Sequence, residues 1–366
     1  MRGARDGGHP GDRRPAGHGG VRGCRESADG VWHVRILVTG GAGFIGSHVA
    51  DALLQDGHRV IAFDNEATGR RENVPVGTRY IMGDVRNVDD LEPAFADGLD
   101  AVCHVAGQVS LVLSYASPLA DLRTNVEGTV NVLQLCLKHR VGRLLYASSM
   151  TAYGPTDALP IPETAPCQPI SYYGITKYAA ERYTHVTAER GDLGFPLHVT
   201  SFRMYNVYGP RQALDNPYQG VLGIFLGNLL RGEPLTIFGD GEQSRDFIYI
   251  DDVVEAWSRA LTAPCTYGRV FNLGSGHRLS INELAARVLA VGGRAPGAED
   301  VHYAPGRAGE QRHVEADIRQ VRAALGWEPQ IPFEVGLART YRWALAQAGL
   351  SPRAHVESPI PSRSEG

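Results

Sequence analysis

The sequence predicts an α/β fold: a parallel, doubly wound sheet flanked by helices, with a smaller C-terminal α/β region to hold a substrate. Short β-branched apolar runs alternate with stretches of helical periodicity along the chain, the pattern that crossover helices impose on a parallel sheet. The first such run, VRILVTG, flows straight into the glycine-rich GGAGFIGSHVADALLQDGH, whose apolar residues recur at helical spacing. The size agrees. A chain of 366 residues, 43% hydrophobic and 21% charged, buries the core of one large domain or two closely joined ones.

The opening thirty residues are rich in Gly, Arg and Pro without an apolar stretch, so they do not form a signal peptide. Residues 1–33 are expected to be a disordered extension, from a start placed too early. Acidic residues interrupt the arginines, which argues against a nucleic-acid-binding arm. Residues 350–366 have the same character. Between them, 34–205 are expected to form the nucleotide-binding domain and 206–349 the substrate-binding region, part of which returns to the first sheet. A formal charge of −4 gives no reason to expect nucleic acid as a partner, and no apolar run is long enough to cross a bilayer. Five scattered cysteines without CxxC spacing fit a reducing cytoplasm better than a disulfide framework or a metal site.

Gly40, Gly43 and Gly46 fall on the first strand-to-helix turn, with Phe44 and Ile45 among them. Backbone without Cβ atoms lets a pyrophosphate approach amides at a helix N-terminus, so this turn is expected to bind a dinucleotide in a Rossmann-type sheet. The next strand, HRVIAFDN, ends in Asp64 and Asn65. A carboxylate there accepts from a ribose 2′-hydroxyl and repels a 2′-phosphate, which favours NAD over NADP despite Arg70 and Arg71 close by. In YIMGDVRN, Asp84 and Val85 are expected beside the adenine. The end of AVCHVAGQVS, from Ala106 to Gln108, is expected near the nicotinamide half, and Asn125 is counted among the cofactor residues.

Strand RLLYASS leads to Ser149 and, after a proline-rich loop, to the helix SYYGITKYAAERYTHVTAER. Residues four apart on a helix share a face and residues five apart do not. Tyr173 therefore faces Lys177, while Tyr172 points elsewhere. A fixed cation favours the phenolate over the phenol, by about one to three pKa units, and lysine reaches ribose hydroxyls with rotatable donors. The chain has two lysines, so the placing of one here is informative. YxxxK alone is weak; Ser149 at the C-terminal end of the preceding strand, where open parallel sheets bind ligands, strengthens it. Ser148 beside it is expected only to cap the strand end.

Together, TGGAGFIGSH, ASSMTAYG, YGITK, FRMYNVYGPRQ, IFGDGEQSRDFIYIDDV and PGRAGEQRH…AD…LGW resemble, in the expected order, the extended short-chain dehydrogenase/reductase family, and within it the NAD-dependent nucleotide-sugar epimerases and dehydratases. The resemblance implies catalysis by Ser149, Tyr173 and Lys177. It implies that Asn206, Arg245 and Arg307 contact a diphosphate, that Phe238 stacks on the base and that Val221 and Leu222 surround it. The resemblance implies further that Val314, three residues before the Asp of PGRAGEQRHVEAD, lines the far wall of the sugar site. It also implies a homodimer paired through two helices of each chain.

Dehydratases of this family resemble one another in an Asp-Glu pair after the catalytic hydroxyl residue. Met150–Thr151 stand there instead, and a methionine transfers no proton. The Cys and His of reductive deoxy-sugar epimerases have no visible counterpart. The expectation is a 4-epimerase of UDP-glucose and UDP-galactose or their N-acetyl forms, acting through a 4-keto sugar. A 2-epimerase, a 4-reductase or a dehydratase remains the alternative, and a catalytically silent NAD-binding regulator a remote one.

Overall fold

The structure is a computed structural model and describes residues 25–26, 32–214, 220–295, 297, 299–306 and 311–350. Seven parallel strands form the central sheet, numbered here in chain order: β1 (Arg35–Thr39), β2 (Arg59–Asp64), β3 (Arg79–Met82), β4 (Ala101–His104), β5 (Arg143–Ser149), β6 (His198–Met204) and β7 (Arg269–Leu273). Their spatial order is β7-β6-β5-β4-β1-β2-β3. The chain thus winds outward from β1 in one direction, then returns to build from β4 in the other. The reversal between β1 and β4 opens a crevice at their C-terminal ends, the usual ligand position in such sheets.

Side-chain alternation explains why both faces are covered. Ile36 and Val38 of β1 join one buried cluster with Val49 and Leu53 of the helix Phe44–Gln55. Leu37, between them, joins a second cluster on the opposite face with Leu91, Phe95 and Val132. All seven residues of β5 are buried, as expected of a central strand sandwiched between helices.

Residues after β6 build the opposing wall. Strand Ser244–Tyr249 pairs parallel with Asn206–Tyr208 and antiparallel with Arg278–Ser280. Strand Leu235–Phe238 pairs parallel with Val301–Ala304. Between these pieces the chain returns to the central sheet as β7, in register with β6 from Arg269 opposite Thr200 to Leu273 opposite Met204. The two walls enclose a cleft of about 1190 Å³ over the C-terminal ends of the strands. Among the described residues no helix is long and apolar enough to cross a membrane.

Candidate active site

The glycine turn forms the floor of the cleft. Gly40 has φ +71°, a region that a Cβ makes costly. A Cβ on Gly46 would lie 2.0 Å from the Gly40 carbonyl oxygen, so only glycine lets the helix start this close to β1. Gly43 is the N-cap of helix Phe44–Gln55, which has neither a side-chain cap nor an acidic residue in its first turn. The first-turn amides thus keep their partial positive charge, beside the cleft that Gly43, Phe44, Ile45 and Gly46 line.

β2 delivers Asp64 to the edge of this floor. Its carboxylate accepts from the Ala42 amide at 3.0 Å and the Glu66 amide at 2.7 Å. Burial pushes the group above the usual carboxylate range, and those two hydrogen bonds act against it. Asn65 also lines the cleft and donates to Asp84 at 2.8 Å. Arg86 grips the Asp84 carboxylate at 2.9 and 2.6 Å and holds its pKa down at about 2. Val85 lines the cleft; Asp84 stands behind it. The two arginines that could have argued for a 2′-phosphate have other neighbours: Arg71 lies over the Tyr80 ring at 3.8 Å and Arg70 stands 3.9 Å from Glu72.

β5 ends in Ser149, and the chain turns at once into a short 3-10 segment, Met150–Ala152. The Ser149 Oγ accepts from the Thr151 amide at 3.3 Å and from the Thr151 hydroxyl at 2.9 Å. Capping therefore falls to Ser149, not to Ser148. The Ser148 hydroxyl instead donates to the buried Glu181 carboxylate at 2.7 Å.

The helix that follows runs from Tyr172 to Ala188, capped by the Ser171 side chain accepting from the Gly174 amide at 3.0 Å. Its phase buries Tyr173 and Lys177 together in the cleft wall, beside Ser149. Tyr172 is half exposed, its ring 5.3 Å from that of Tyr115. The expected lowering of the Tyr173 pKa by its lysine is not what the protein's own groups produce. Burial pushes the phenol up to about 12, with the Ser149 hydrogen bond acting in the opposite direction and Asp121 adding to the rise. Burial also brings Lys177 down to about 8, opposed by the charges of Asp121 and Glu181. Desolvation of the charged forms outweighs the attraction.

Behind Lys177 lies a hydrogen-bonded cluster that the sequence does not reveal. Asp121 accepts from Gln108 Nε2 at 2.7 Å, Asn125 Nδ2 at 3.1 Å and the Thr176 hydroxyl at 2.6 Å. Asn125 lies in a π-type turn, Arg123–Glu127, and accepts from the Gln108 amide at 2.8 Å. Ala106 and Gln108 line the cleft, and Asn125 stands behind them.

On the opposing wall, Asn206, Val221, Leu222, Phe238, Arg245 and Val314 all face the same cleft. Asn206 donates to the Asp246 carbonyl at 3.0 Å, and Arg245 to the Ser244 carbonyl at 2.8 Å. Val314 is buried with Tyr205 and Ala316, Met150 packing against them. Arg307 lies outside the described residues. Sequence reasoning passed over three further lining residues, Tyr205, Gln212 and Gln311. Each buries a polar side-chain atom that lacks a hydrogen-bond partner among the described residues. No spacing pattern marks them.

Comparison with known proteins adds to this geometry. The model of the NAD dependent epimerase/dehydratase family matches residues 36–274. The UDP-glucose 4-epimerase of Mycolicibacterium smegmatis is 36% identical over 323 residues, covering 84% of this chain and 97% of its own. The crystal structure of a UDP-glucose 4-epimerase from Thermotoga maritima with UDP-glucose superimposes with TM-score 0.81 at 36% identity, covering 86% and 99% of the two chains. A UDP-N-acetylglucosamine 4-epimerase from Methanobrevibacter ruminantium, in complex with UDP-N-acetylmuramic acid, gives 0.79 at 32%, covering 86% and 99%.

Proposed function

The chain belongs to the NAD dependent epimerase/dehydratase family, and from that premise we propose that it epimerises a nucleotide sugar at carbon 4, with UDP-glucose and UDP-galactose or their N-acetyl forms as substrates. It is an NAD-dependent isomerase. One observation carries the choice of reaction: Ser149, Tyr173 and Lys177 share one cleft with the glycine turn and Asp64, while Met150 and Thr151 follow Ser149 where an elimination would need an acid and a base.

The residues present fit NAD. The uncapped first-turn amides at Phe44 and Ile45 suit a pyrophosphate, with Gly43, whose own amide donates to the Gly40 carbonyl at 3.0 Å, leaving room for its approach. The buried Asp64 carboxylate suits ribose hydroxyls. Asn65, Asp84 and Val85 would stand at the adenine, with Ala106, Gln108 and Asn125 toward the nicotinamide. NAD held there would supply a reversible hydride acceptor for carbon 4.

The protein's own residues handle the proton and the substrate. The Ser149 hydroxyl holds the sugar 4-oxygen beside Tyr173, and Tyr173 takes its proton as hydride leaves carbon 4. Lys177 offsets the negative charge of the phenolate. The 4-keto sugar turns about a diphosphate anchored by Asn206, Arg245 and Arg307. Tyr173 then returns the proton to the 4-oxygen as hydride reaches the other face. Phe238, Val221 and Leu222 hold the base. In this reading 34–205 bind the cofactor and 206–349 the nucleotide sugar.

The protein acts as a cytoplasmic homodimer. Free cysteines at 103, 136, 167 and 265 support a reducing compartment. Exposed Tyr115 of the helix Leu111–Ala116, Leu119 and Leu122 of the helix Pro118–Leu122, and Ile175, Tyr183 and Val186 of the helix Tyr172–Ala188 supply an apolar face for pairing. The test is a panel of nucleotide sugars, each incubated with the enzyme and its products separated by chromatography. UDP-glucose and UDP-galactose, or their N-acetyl relatives, should interconvert without net NADH. Loss of water or accumulation of NADH would move the protein to another reaction of the family.

A further inference from the structure

Lys177 is buried and meets titratable groups on every side. Its own helix offers Tyr173 four residues before it and Glu181 four residues after it. β5 brings Tyr146, whose ring centre lies 5.0 Å from Nζ. β4 brings His104, clamped between the Thr39 and Thr129 hydroxyls and held neutral by burial, its pKa pushed down to about 3. The helix Pro118–Leu122 brings Asp121.

Of the two carboxylates, Glu181 already has a cation. Arg203 binds it at 2.6 and 3.0 Å, and Ser148 adds a third donor. Asp121 differs. It is 1% exposed, and its donors among the described residues, Gln108, Asn125 and Thr176, are all neutral. A carboxylate buried this far with neutral donors alone is costly unless a cation stands near. A Cβ on Gly107 would lie 2.9 Å from Asn125 Oδ1 and 3.4 Å from Lys177 Nζ, so the ammonium stands beside the side chain that donates to Asp121. Burial pushes the Asp121 pKa up and Lys177 acts against that, while Asp121 acts against the lowering of Lys177.

We propose that Asp121 is a positioning residue of this site: the buried counter-charge of Lys177, which also locks Gln108 and Asn125 into the cleft wall. This rests on the reading of Lys177 as part of the reaction centre. Asp121 keeps Lys177 protonated while opposing ionisation of Tyr173. Removing its charge lowers both pKa values, so both limbs of the kcat/KM profile move to lower pH. A purely structural role moves neither.

The direct test needs no turnover. The chain has two lysines, so lysine labelled with 13C at Cε gives two side-chain signals, and Lys138→Arg identifies that of Lys177. In that background Lys177 should titrate near 8. Asp121→Asn should move its midpoint at least about one pH unit lower. Thr176→Val, which removes one donor and keeps the charge, should move it much less. Should Asp121→Asn not fold, Asp121→Ser gives the same comparison. A folded variant with an unmoved midpoint overturns the proposal. Failure of the native enzyme on every nucleotide sugar would sink the functional reading and leave this titration standing.

Discussion

Arg203 and Glu181 form an ion pair at 2.6 Å with side chains only 6% and 2% exposed, joining β6 to the helix that carries Tyr173 and Lys177. The Arg203 guanidinium also lies 4.6 Å from the Tyr153 ring centre. A pair buried this deeply contributes little net stability, but removal of one partner strands a charge, at a cost of about 3–5 kcal/mol. Glu181→Ala should lower the unfolding free energy by that order. Denaturant titration checks it, and a loss below about 1 kcal/mol would show that water or rearrangement satisfies Arg203.

The cofactor preference is expected to follow from Asp64. Asp64→Ala removes the acceptor expected for the ribose and the charge that repels a 2′-phosphate. NAD should bind about tenfold more weakly or worse, the scale of one charge-assisted hydrogen bond, and discrimination against NADP should relax. Calorimetric titration with both dinucleotides checks this. A native protein that binds NADP more tightly than NAD would refute the role of Asp64.

The tyrosines separate by helix phase. Tyr173→Phe should lower turnover by at least about two orders of magnitude, as expected of a lost acid–base group. Tyr172→Phe, at an exposed ring, should lose much less. Ser149→Ala has a further signature. The Ser149 hydrogen bond lowers the Tyr173 pKa against burial, so its removal raises that pKa. Activity carried by the phenolate should then rise with pH along a limb displaced to higher pH, opposite to the displacement expected of Asp121→Asn. A pH–rate profile of kcat/KM distinguishes them.

Assembly is tested by mass. Light scattering at micromolar concentration should give about twice 39.6 kDa. Leu119→Glu with Val186→Glu, both exposed on the apolar face, should return the monomer mass. A native monomer would leave that face without the partner proposed for it.

Legibility followed sequence distance. Tyr173 and Lys177 were readable because one helix fixes their spacing, and Asp64 because a buried strand must end somewhere polar. The Asp121 cluster was not, because Gln108, Asp121 and Thr176 come from three separate segments that meet only in the fold. The partner of Ser148 likewise lies 33 residues away on another element. The direction of the Tyr173 shift also needed the structure: charge proximity can be guessed from spacing, but the depth of burial that overrides it cannot.

The size of sugar accepted is expected to depend on the wall at Val314. Its side chain is 1% exposed, packed with Tyr205 and Ala316 beside Met150, and it faces the cleft that Ser149 and Tyr173 share. A tyrosine at this position would fill more of the sugar site than valine, and a smaller residue less. Valine is intermediate in size and carries no polar atom, so it discriminates by shape alone. UDP-N-acetylhexosamines should therefore be accepted alongside UDP-hexoses. Val314→Tyr fills the space that an acetamide would need. It should depress kcat/KM for the N-acetyl substrate by about tenfold or more relative to the plain hexose. Equal depression of both would mean that the tyrosine disturbs Tyr205 and the cleft as a whole, and no depression would mean that the acetamide lies elsewhere; either result removes Val314 as the gate.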